Sequence, residues 1–131
     1  MNSRISVSIA LGVMLGAGTA WAHHGMSALF DFNQRFTRTG TLTKMDWRNP
    51  HIYLSVDAKS DQAQVETWSF EGPSPSFFRD GKIAGKSDFQ NAIGKTVTVE
   101  ASRARDGSLS GLMRMITLPD GKVVSLCPQN C

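Results

Sequence analysis

The chain has 131 residues, of which 40% are hydrophobic and 19% charged, with a formal net charge of +3. This balance excludes an intrinsically disordered chain and leaves room for one domain at most. Lysine and arginine stand singly among aspartate and glutamate, so the mild positive charge reads as solubility and not as a nucleic-acid surface.

Residues 1–22 carry the three parts of a secretory signal peptide. Arg4 supplies the positive start, residues 5–17 form an apolar run softened by Ser6, Ser8, Gly12 and Gly16, and Ala20-Trp21-Ala22 is a small-x-small cleavage pattern. The run is short and interrupted for a membrane span. The expectation is a periplasmic or secreted domain over 23–131, with no stable membrane anchor after processing.

The lead-in from His23 to Arg35 has no clean period and is expected to be extended or turning, anchored on Phe30 and Phe32. Thr37 to Trp47 is rich in threonine and reads as a long strand, with Gly40 marking a bend or bulge. Trp47-Arg48-Asn49-Pro50-His51 forms a corner, since proline lacks an N–H and restricts the residue before it. Ile52 to Asp57 alternates strictly, with Ile52, Leu54 and Val56 on one side and His51, Tyr53 and Ser55 on the other. Val65 to Glu71 returns with Trp68 and Phe70 on the apolar side, which completes a hairpin. The proline-rich break after Gly72 precedes one helical turn at Phe77-Phe78-Arg79. A short helix follows, capped by Ser87 and stopped at Gly94. Thr96–Ala101, Leu112–Leu118 and Val123–Leu126 are further strands, separated by turns at Asp106-Gly107 and Pro119-Asp120-Gly121. Three strands, a short helix and two or three more strands predict an all-β, OB-like antiparallel barrel. An open sandwich is the alternative.

No conventional catalytic motif is present. Asp57, Asp61, Asp80, Asp106 and Asp120 fall at turns, which explains them. Cys127 and Cys131 are the only cysteines, and an oxidising compartment would let them close a structural disulfide. Met113 and Met115 share a strand face and are expected to fill gaps in the core, as is Trp68. Trp47, Asn49, Tyr53 and Glu71 gather around the proline corner and are candidates for a surface that meets a ligand or a protein partner.

The three histidines are His23, His24 and His51. Cleavage after Ala22 would make His23 the N-terminus, offering an amine and an imidazole to one metal. His51, on the outer face at a stiff corner, would add a second imidazole. His24 offers a competing mode through its ring, the amine and the intervening backbone nitrogen. Such nitrogen sets suit Cu(II) better than hard cations.

The segments A-H-H-G-M-S-A-L-F-D-F, W-R-N-P-H followed by I-Y-L, W-S-F-E-G-P-S-P, R-D-G-S-L-S-G and T-L-P-D-G-K-V resemble a bacterial family of small secreted proteins known as domain of unknown function 6152. The resemblance implies an exported all-β domain. It also implies a shared role for His23, His24 and His51, beside Asp31, Trp47, Asn49, Pro50, Glu71 and Gly72. The chain departs from the family pattern at Gly81-Lys82-Ile83, where a Gly-Trp is expected, and in its C-P-Q-N-C tail. The leading functional expectation is a non-enzymatic periplasmic copper-binding protein. An OB-like binding module for a protein or small ligand comes second, and an oxidative copper enzyme third.

Overall fold

The computed structural model describes residues 25–80 and 83–126. In chain order they form a short helix α1 (Gly25–Leu29), strands β1 (Phe30–Asp46), β2 (Tyr53–Lys59) and β3 (Val65–Glu71), and a 3-10 turn (Pro75–Phe78). Helix α2 (Lys86–Ala92), then β4 (Thr96–Ala104), β5 (Ser110–Thr117) and β6 (Val123–Ser125), complete the order. Among the described residues no helix is long and apolar enough to cross a membrane. The readings that fall on the signal segment, His23, His24, Lys82 and the two cysteines lie outside the described residues.

The strands hydrogen-bond in a closed ring. β1 pairs antiparallel with both β2 and β4, β2 with β3, and β4 with β5, while a parallel pairing of β3 with β5 closes the circuit. This is the ring of the expected OB-like barrel, with β6 added beside β5. Closure leaves few free edges in a small domain, which the open sandwich would not achieve.

β1 reaches both neighbours because it is 17 residues long. Its first part, Phe30 to Thr41, lies along β4, and Gly40 to Asp46 lies along β2. At Gly40 a Cβ would come 2.2 Å from the carbonyl oxygen of Asp57, so glycine permits the close approach of the two backbones. The β1–β2 register shift falls between Leu42 and Lys44, three residues beyond the glycine that was expected to mark a bulge.

The alternation expected in β2, β3 and β4 holds. Ile52, Leu54, Val56, Trp68, Phe70, Val97 and Val99 are all buried. Three details differ. The lead-in before Thr37 is α1 followed by strand already begun at Phe30, because this segment finds β4 as a partner. α2 is capped at Gly85, not Ser87; the Asp88 carboxylate accepts the Gly85 N–H at 2.7 Å, supplying the side-chain partner for a free helix-end donor. Met113 is buried, but Met115 is exposed: a register shift opposite Glu100 and Ala101 breaks the two-residue period between them.

The barrel has two unlike ends. At the end where β2 and β4 begin, Phe78 and Phe89 close the core, and Trp47 packs on both with ring centroids 4.8 and 5.3 Å away. At the opposite end, where β2 and β4 finish, the interior is lined by Phe36, Arg38, Trp68 and Arg103.

Candidate functional site

The proline corner joins β1 to β2 through a cis Asn49–Pro50 bond, and the chain then runs straight into the sheet. Ile52 donates its N–H to the Pro73 carbonyl at 3.0 Å, and Gly72 donates to the Ile52 carbonyl at 2.8 Å. These two bonds tie the residues after His51 to the residues after Glu71. The approach is close enough that a Cβ on Gly72 would lie 2.8 Å from Cγ1 of Ile52 and 2.7 Å from Cε of Met113. Thus the motif glycine after Glu71 has a packing reason, and that packing brings the His51 side chain beside the Glu71 carboxylate.

His51 Nδ1 stands 2.5 Å from Glu71 Oε1. The imidazole is 35% exposed and the carboxylate 12%. Tyr53 lies directly between two acids across the sheet, paired with Asp46 on β1 and with Glu71 on β3. Burial pushes its phenol above the usual tyrosine value, and the Glu71 and Asp46 charges push it the same way. Asp46 is itself paired with the exposed Arg48 at 2.6 Å. The outer face at this corner therefore carries a row of Asp46, Tyr53 and Glu71, with His51 at its edge.

Of the residues expected to form a ligand or partner surface, Tyr53 and Glu71 meet in that row. Asn49 is exposed at the corner. Trp47 is half-buried, its ring engaged with Phe78 and Phe89, so only part of it faces outward. Among the described residues no three histidine, cysteine, aspartate or glutamate side chains converge as a metal site.

Sequence reasoning passed over Arg38 and Arg103, which turn into the barrel instead of out of it. The signal for them was parity. Arg38 falls on the same side of its strand as the buried Leu42, and Arg103 on the same side as Val97, Val99 and Ala101.

A profile for a family of unknown function, DUF6152, matches residues 11–114, well over half of the chain. No curated protein and no solved structure matches it.

Proposed function

The chain belongs to the DUF6152 family, and we propose that it is an exported copper-binding protein that buffers or delivers the metal in the periplasm or outside the cell. The observation that supports this reading is the contact between His51 Nδ1 and the Glu71 carboxylate at 2.5 Å. A carboxylate on one ring nitrogen orients a histidine and raises the basicity of the other nitrogen toward a metal. Nε2, on the far side of the ring, is then the ligating atom. His23, freed by cleavage after Ala22, supplies an amine and an imidazole, or His24 replaces its ring. Three nitrogen donors of this kind suit Cu(II). The chemistry is binding, not turnover.

A second reading, a binding module for a protein or small ligand, draws on Tyr53, which is 40% exposed beside Glu71 on the outer face. The two are separated by titrating Cu(II) into protein exported through a bacterial periplasm, its N-terminus established by mass spectrometry. Electron paramagnetic resonance is followed beside His51→Ala and a form with one extra N-terminal residue. One-to-one binding with nitrogen hyperfine structure, weakened by both changes, supports copper. Weak binding indifferent to both removes the copper reading and leaves the module.

A further inference from the structure

At the end of the barrel away from His51, two arginines occupy positions where the strands otherwise place core residues. The guanidinium carbons of Arg38 and Arg103 each stand 4.6 Å from the centroid of the Trp68 ring, and 5.4 and 5.5 Å from that of Phe36. Trp68 is buried beneath them, 1% exposed. The ring faces attract the cations. That attraction does not use the hydrogen-bonding edge of the guanidinium, which ordinarily takes a carboxylate when an arginine is drawn inward.

Neither arginine has such a partner. The ion pairs among the described residues engage Arg48, His51, Arg105 and Lys122, and not these two. Arg38 donates from Nη1 to the Thr37 carbonyl at 3.0 Å, and Arg103 from Nη2 to the Gly107 carbonyl at 3.4 Å. Arg38 Nε is buried and finds no acceptor among the described residues. An unmet buried donor on a charged group is costly. Two like charges share one ring; Asp106, on the turn next to Gly107, attracts Arg103 electrostatically but forms no ion pair with it.

The space they face is a cavity of about 330 Å³, lined also by the hairpin turn from Ser60 to Gln64, by Glu66 and by Leu109. Two carboxylates border it. Glu66 is occupied by the Trp68 indole N–H at 3.3 Å, and Asp61 stands exposed on the turn. Neither lies within ion-pair distance of Arg38 or Arg103.

We propose that this mouth of the barrel binds an oxyanion, a phosphate or carboxylate group carried on a small molecule, between Arg38 and Arg103 over Trp68. The planar guanidinium fork matches both groups, which accept two parallel N–H bonds. The cavity is of small-molecule size, with neutral glutamines at its rim. The site shares no residue with the His51 corner, so the two proposals stand or fall separately.

The test is a titration of the full chain, nitrogen-15 labelled, with inorganic phosphate in one arm and succinate in the other, at low ionic strength. The Trp68 indole N–H and the Arg38 Nε–H resonances report binding. Saturable shifts of both are expected, and the arm that saturates at lower concentration identifies the group preferred. Arg38→Gln and Arg103→Gln should each weaken binding roughly tenfold or more. Arg103→Lys, which keeps the charge and loses the fork, should fall between. Glu66→Gln, which removes the competing carboxylate, should tighten it. The Trp47 indole resonance at the opposite end reports whether each variant keeps its fold; should Arg38→Gln lose it, Arg103→Lys and Glu66→Gln still decide. No saturable shift in either arm up to about 10 mM, or shifts equal in Arg103→Lys and the parent, would overturn the proposal and leave the arginines as a plug for the barrel end.

Discussion

His51 and Glu71 meet across a corner that neither residue builds: the Ile52–Pro73 and Gly72–Ile52 backbone bonds, at 3.0 and 2.8 Å, hold the two segments together. The imidazole nitrogen and the carboxylate oxygen are then left 2.5 Å apart. The histidine is thereby oriented before any ligand arrives, with one nitrogen toward the protein and the other away from it. A freely turning surface histidine would lose rotational freedom on binding, and this one has lost it already.

Glu71→Gln therefore tests orientation apart from ligation. The amide keeps the volume and removes the charge, so Cu(II) affinity should fall by about 10- to 100-fold without the site being abolished. His51→Ala should cost more. A competition titration against a chelator of known affinity measures both, and equal binding by Glu71→Gln and the parent would remove Glu71 from the site.

Tyr53 is the only tyrosine in the chain, so its phenolate absorbance can be followed without ambiguity. Burial first, and the Glu71 and Asp46 charges next, hold its pKa above the usual value of 10.0. Glu71→Gln should lower the midpoint but not return it fully, because the burial remains. The folded pKa lies above the unfolded one, so the associated stability is present below about pH 10 and is lost as pH rises through the folded value. A midpoint unmoved by Glu71→Gln would contradict the Glu71 contribution.

Gly40→Ala places a methyl 2.2 Å from the Asp57 carbonyl oxygen, a backbone atom in a paired strand that has little freedom to withdraw. The expected loss is about 1–3 kcal/mol, as for other overpacked sites. Urea denaturation should show a lower midpoint with an unchanged slope. A loss below ~0.5 kcal/mol would mean that β1 and β2 separate more easily than their pairing implies.

Asp88 combines a helix-end bond with an ion pair. Its carboxylate accepts the Gly85 N–H at 2.7 Å and lies 3.1 Å from the Lys122 ammonium, and these, in that order, hold its pKa below the usual carboxylate value. Asp88→Ala should cost about 0.5–1 kcal/mol at neutral pH, the range for a lost helix cap. Because the folded pKa is the lower one, that contribution is present above the ordinary carboxylate pKa of 3.8 and disappears as pH falls through the folded value. The difference between Asp88→Ala and the parent should therefore vanish in strong acid; a difference that persists there would assign the effect to packing.

Local pattern alone determined a good deal. The two-residue period of Ile52, Leu54 and Val56, and of Val97 and Val99, is a property of neighbouring residues, so the inward set was legible before any partner strand was known. The order of strands around one short helix was enough to name the OB-like barrel. Proline, glycine and aspartate marked the turns because their backbone preferences act at the residue itself; Gly94, Gly107 and Gly121 all adopt positive φ.

What only the tertiary structure decided depends on partners distant in the chain. β1 begins at Phe30 because β4 is there to receive it, and no period in H-H-G-M-S-A-L-F-D-F announces that. Met115 leaves the core through a register shift that exists only between β4 and β5. The pairing of His51 with Glu71 follows from backbone bonds between the entry to β2 and the exit from β3, and the convergence of Arg38, Arg103 and Trp68 needs three strands closed into a ring. Periodicity fixes the side of a strand a residue occupies. Which side chains then meet inside is set by register and closure, and those belong to the whole fold.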